Sequence, residues 1–191
     1  MSLPPLPAWQ NAAQDAHFSD PAACAARAAT FERSIKWRNR MEYAAGVLIT
    51  VVFGSASIGA ASKGEAVIAF GLAVIIAGVW LALWNLQRRA GNRLRHPEEA
   101  CLVHLKLQYQ RQYEALRAVP LWYIGPMVPG VLLFYFGITQ GTAQTLGWAA
   151  AVKGAIGPFL FSFGIFAAIA IANLIAARAL KRKIDGLNNL A

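Results

Sequence analysis

Residues 66–87 read AVIAFGLAVIIAGVWLALWNLQ, bounded by Glu65 and Arg88. That is a run of 22 residues without a charge. Crossing ~30 Å of hydrocarbon at ~1.5 Å per helical residue takes about 20 apolar residues. A helix of a soluble bundle would carry a polar face, and this stretch has almost none. It reads as a transmembrane helix.

Working outward, the same criterion finds more spans. Residues 43–62 are 20 uncharged positions between Glu42 and Lys63, and residues 154–177 are 24 between Lys153 and Arg178. The longest gap, residues 118–152, has 35 positions. That is too long for one helix and too short for two with a turn. Its stretch Thr139-Gln140-Gly141-Thr142-Ala143-Gln144-Thr145 is polar and contains Gly, so it reads as a loop. The expected spans are about 43–62, 66–87, 121–138 and 156–177. The expected fold class is all-α, a polytopic membrane protein with four transmembrane helices in two hairpins, 43–87 and 120–177.

Composition agrees. The chain has 191 residues, 57% apolar and 14% charged, against roughly 45–50% and 25% for a soluble domain. Such hydrophobicity excludes disorder for most of the length, and two cysteines cannot make a disulfide scaffold. The first 40 residues hold no basic stretch followed by an apolar one, so no signal peptide is expected. Neither end carries a lipidation pattern.

The basic residues orient the spans. Five precede the first span, seven lie between the second and third, and four follow the fourth; the two other loops hold only Lys63 and Lys153. The positive-inside rule puts both termini and the central segment in the cytoplasm, and the Ala- and Arg-rich composition suits a bacterial inner membrane. The net charge of +9 is thereby explained as membrane-flanking. It calls for anionic lipid head groups and no nucleic acid. Trp37, Tyr43, Trp84, Trp122 and Tyr123 near the inner border and Trp148 near the outer one suit an interfacial anchoring layer.

Residues 1–20 begin Pro-rich and are expected to be flexible. Ser19-Asp20-Pro21 is a helix start, and Cys24, Ala28, Phe31 and Ile35 form one stripe on a cytoplasmic amphipathic helix over 21–42. The segment 88–119 repeats the plan. His96-Pro97-Glu98-Glu99 starts a helix expected to run from about Glu98 to Val119, with Pro120 marking the break. Its stripe is Leu102, Leu105, Tyr109, Tyr113 and Leu116, with basic and amide side chains on the other face. The two stripes can pack on each other, lie on the membrane, or bind a protein partner. Residues 178–191 form a cytoplasmic basic tail.

Each half thus reads cytoplasmic helix, span, short outer loop, span, a faint parallel repeat. Gly71 and Gly78, and alanines four apart at 69, 73, 77 and at 168, 172, 176, allow close helix packing. Gly125-Pro126 and Pro129-Gly130 should bend or break the third span.

The spans hold no acidic, basic or histidine residue, unlike most proton pathways. Asn85 and Asn173 are the candidate intramembrane polar residues. His17, Cys24, His96, Cys101 and His104 do not make the closely spaced four-ligand set of a zinc site, so no metal or other cofactor is expected. Cytoplasmic cysteines are expected to be free thiols. No catalytic motif is present, and an enzyme is not expected. The expected function is an accessory, regulatory or anchoring subunit that binds a protein partner or a second copy through its cytoplasmic helices. The alternatives are a small transporter or channel for a neutral solute, and a membrane-bound anti-sigma-like signalling protein.

Overall fold

The computed structural model describes residues 21–91 and 101–188. Among the described residues there is no strand. Five α-helices follow in order: α1 (Pro21–Ser62), α2 (Ala66–Ala90), α3 (Cys101–Arg117), α4 (Val128–Leu146) and α5 (Trp148–Asn188). A π-helical turn (Pro120–Ile124) and a 3-10 turn (Gly125–Met127) join α3 to α4. Four helices are long and apolar enough to cross a membrane, over Cys24–Ser62, Ala66–Ala90, Pro120–Leu146 and Trp148–Gly186.

These four lie in a row rather than a closed bundle. α1 packs on α2, α2 on α4, and α4 on α5. α2 is the most enclosed, whereas the most apolar stretch of α5 has no buried residue. Glycine sets the spacing at the centre. A methyl added to Gly71, Gly78 or Gly130 would come within 3.0 Å of backbone atoms on the facing segment. Without hydrophobic attraction between apolar helices in lipid, such close backbone approach is what holds them together. Leu72, Ile75, Val79, Leu83 and Leu86 of α2 fill the surrounding core, with Trp122 and Val131 opposite.

The α1–α2 and α4–α5 connections are short. Lys63 and Gly64 turn α1 into α2, and Gly147 alone turns α4 into α5. Both glycines have positive φ, 79° and 81°, which other residues adopt only with strain.

Three expectations change here. Residues 139–145 are helical, not a loop. Gly141 costs only ~1 kcal/mol relative to Ala, the threonines bond back to their own helix, and hydrocarbon thickness limits the apolar length rather than the helix. Thr139 Oγ1 donates to the Tyr135 carbonyl at 2.8 Å and Thr145 Oγ1 to that of Thr142 at 3.0 Å. The fourth apolar helix consequently begins at Trp148. The basic tail is also helical as far as Asn188, because Ala177, Leu180 and Ile184 share one buried face. Third, Cys24 and Cys101 are not free thiols but a disulfide. The first turns of α1 and α3 lie side by side there, with a Cα–Cα distance of 6.3 Å, within disulfide range. The expected flexible segment 1–20 and the helix start at His96–Glu99 lie outside the described residues.

At the basic end, α3 joins the ends of α1 and α5 in a three-helix head. Cys24, Leu105, Tyr109, Leu180 and Ile184 form its apolar core. α1 and α5 both run unbroken from the apolar row into this head, 42 and 41 residues long, or about 60 Å each.

Gly78→Val should lower the detergent-solubilised chain's stability by roughly 1–3 kcal/mol, because the facing Pro126 is backbone and cannot yield. Gly164→Ala, with open space at its Cβ, should be neutral or mildly stabilising. Thermal unfolding of both variants checks this; equal losses would remove the close-packing account.

Candidate functional site

The polar residues that matter lie where the head meets the row of apolar helices. α2 ends at Ala90, and the last carbonyls of a helix have no partner within it. α3 supplies the donors. Arg111 Nη2 reaches the Arg88 carbonyl at 2.7 Å, and its Nε reaches that of Arg89 at 3.3 Å. Gln112 Nε2 donates to the Ala90 carbonyl at 2.8 Å. The other end of the same amide, Oε1, accepts from Arg38 Nη2 of α1 at 3.2 Å. Gln112 therefore ties three helices with one side chain.

Gln112 belongs to a buried polar ladder. His104, Gln108 and Gln112, four residues apart, are each 1% exposed. His104 Nε2 lies 3.2 Å from Glu32 Oε1 on α1. α3 is thus buried along two adjacent stripes, one polar and one apolar. The sequence puts the amides on the face opposite the apolar stripe. The four-residue spacing of His104, Gln108 and Gln112 was visible, but polar periodicity alone does not distinguish a wet face from a paired one.

Toward the apolar row the ladder ends at a cavity of about 130 Å³. Arg38, Glu42, Trp122, Tyr123 and Asn173 line it, with Leu86, Ala90 and Ile169 among the apolar residues. The Tyr123 hydroxyl donates to Glu42 Oε2. Arg38 Nε is buried without a hydrogen bond. Arg38 and Glu42 lie one helical turn apart, so the cavity has a cation and an anion on one wall and an amide on another. The space suffices for several waters or a small polar molecule. Its lining holds no Ser, Cys or His; its one hydroxyl, on Tyr123, is the donor to the Glu42 carboxylate. Among the described residues no group of three or more His, Cys, Asp or Glu could hold a metal.

The two asparagines are not equivalent. Asn85 is absent from the cavity lining; its Nδ2 donates to the Trp122 carbonyl at 3.3 Å. Pro126 has no N–H, so the carbonyl four residues earlier lacks its helical donor, and Asn85 supplies one from α2. Asn173 lines the cavity, and its Nδ2 donates back to Ile169 in its own helix at 2.8 Å. The structure does not bring the pair together.

The stripe proposed for a partner is largely covered by the chain itself. Leu105 and Tyr109 are buried against Cys24, Leu180 and Ile184; Tyr113 and Leu116 are partly buried there; Leu102 stays 42% exposed. Phe31 meets Tyr109 edge-on at 4.7 Å. Burial pushes the Tyr109 phenol above its ordinary pKa, and the charge of Arg27 partly offsets this. The chain matches no family model, no curated protein and no solved structure.

Two sets of substitutions test this geometry by chemical unfolding in detergent. Asn85→Leu should cost about 0.6–2 kcal/mol through the orphaned Trp122 carbonyl, while Asn173→Leu should change stability little. Equal effects would contradict the assigned roles. Gln112→Leu should cost ~1–3 kcal/mol, since it strands the buried Ala90 carbonyl and takes one acceptor from the part-buried Arg38 guanidinium, which keeps Asn39 Oδ1. A neutral result would show that the amide does not join the helices.

Proposed function

We propose that this chain is an accessory, regulatory or anchoring subunit of a bacterial inner membrane, with both termini and the segment 88–119 in the cytoplasm. The observation that carries the reading is the continuity of α1 and α5. Each runs without a break from the apolar row into the head, and α3 is clamped between them. A displacement of the head must therefore move two apolar helices, and the reverse. That coupling suits a part that reports or holds position.

The basic surface of the head suits anionic lipid head groups or an acidic partner surface. Because the α3 stripe is covered, a protein partner would meet Leu102 and Val103, which are 42% and 50% exposed. Purification from native membranes in mild detergent should yield a stoichiometric partner, lost on Leu102→Asp with Val103→Asp. A reporter enzyme active only outside the cytoplasm should be inactive at the C-terminus and active when inserted at Gly64.

One observation favours the transporter or channel as a second reading. The backbone is non-α-helical over 120–127, directly beside the polar cavity, and broken helices line solute sites in many transporters. A partner-free chain that moves a neutral solute into liposomes would replace the subunit reading with this one.

A further inference from the structure

The chain has two cysteines, 77 residues apart in sequence, and the fold joins them. We propose that Cys24–Cys101 is a reversible redox latch, closed by exchange with an oxidised low-molecular-weight thiol, that fastens the first turns of α1 over a groove in the head.

Among the described residues, the bond is the strongest fastening of those turns. From Cys24 to Thr30, Cys24 is buried, Ala28 is half-buried, and the rest are exposed. Among the described residues, Ala28 packs on the head's core one turn on, and the ring, ion-pair and amide ties between α1 and α3 lie closer to the apolar row: Phe31 on Tyr109, Glu32 with His104, Arg38 with Gln112. The two helices run parallel, so the disulfide closes their far ends, roughly 27 Å along the helix from Glu42. Beyond Phe31, among the described residues, the apolar contact of Ala28 and the sulfur–sulfur bond fasten the helix, and only the bond is covalent.

Those turns form one wall of a groove of about 790 Å³. Ala26, Arg27 and Thr30 stand on that wall, Leu105 and Tyr109 on the floor, and Lys183 on the α5 side. Closing the bond fixes the wall, and opening it frees the wall without disturbing the floor.

Reversibility rests on the cytoplasmic orientation proposed above, because glutathione and thioredoxin systems keep cytoplasmic thiols reduced and disulfides there are transient. Cys101 is half-buried and Cys24 is 5% exposed, so Cys101 is the accessible thiol. Its thiolate attacks glutathione disulfide and expels one glutathione thiolate, leaving a mixed disulfide on Cys101. The Cys24 thiolate then attacks the Cys101 sulfur and expels the second glutathione. Two protein thiols are oxidised, one glutathione disulfide is reduced to two glutathione thiols, and the protons pass from the former to the latter.

The test uses the full-length chain in sealed membrane vesicles of both orientations, with a membrane-impermeant maleimide of high mass. In inverted vesicles, reduced chain should take up two labels, and excess glutathione disulfide should abolish both without leaving bound glutathione. In right-side-out vesicles the reduced chain should take up none. Trypsin should then cut after Arg27 about tenfold faster in the reduced form, as expected when local opening is eased. Cys101→Ser should be cut at the fast rate in either redox state. Labelling from outside after reduction would overturn the orientation and make the bond a permanent staple. Thiols that label from inside but stay reduced under glutathione disulfide would overturn the latch and leave the orientation standing. Equal tryptic rates would likewise overturn it.

Discussion

The end of α2 constrains everything around it. A helix that stops inside a protein leaves carbonyls unsatisfied, and each unsatisfied buried polar group costs about 1–3 kcal/mol. Gln112 meets the buried carbonyl of Ala90, and Arg111 adds bonds to the exposed carbonyls of Arg88 and Arg89, so these contacts favour α3 lying across that end in one register. Because the Gln112 amide has two ends, the same register brings in Arg38 from α1. With α3 fixed, Leu105 and Tyr109 face the place where α5 delivers Leu180 and Ile184. The buried amide sets the register of α3, and the apolar core and the disulfide hold the head closed around it.

The apolar row follows a different rule. Its helices have no water to escape from one another, so packing distance decides, and Gly71, Gly78 and Gly130 bring α2 against α4 and the turns before it. Close approach has a consequence at Gly78, which faces the Pro126 backbone. The proline interrupts the helical bonding there, and Asn85 on α2 completes it. The 3-10 bond from Val128 to the Gly125 carbonyl does the same one turn later, where Pro129 cannot donate. The break before α4 is thus a repaired discontinuity, held in place by its neighbour.

Two long helices connect the row to the head, and the cavity sits at their junction. Arg38 and Glu42 on α1 and Asn173 on α5 share it with Trp122 and Tyr123 of the π-helical turn. Charged groups lie there because the apolar row has just ended, while the head still shields them from bulk solvent.

The sequence alone determined the four apolar helices and the side on which positive charge gathers. Hydrocarbon thickness and charge placement act on each segment separately, so a run such as residues 66–87 can be read without its neighbours. It read residues 139–145 as a loop, where threonine side chains bonded to their own helix keep the segment helical, and it carried no sign of the helix beyond Ala177, where Leu180 and Ile184 continue a buried face. It showed Asn85 and Asn173 as a matched pair, yet one repairs a neighbour's backbone and the other bonds its own helix. Only the tertiary structure decided the burial of His104, Gln108 and Gln112, the meeting of Cys24 with Cys101, and the cavity beside Arg38 and Glu42. Each of these depends on which helices meet and in what register. That is set jointly by partners distant in the chain, and no local pattern carries it.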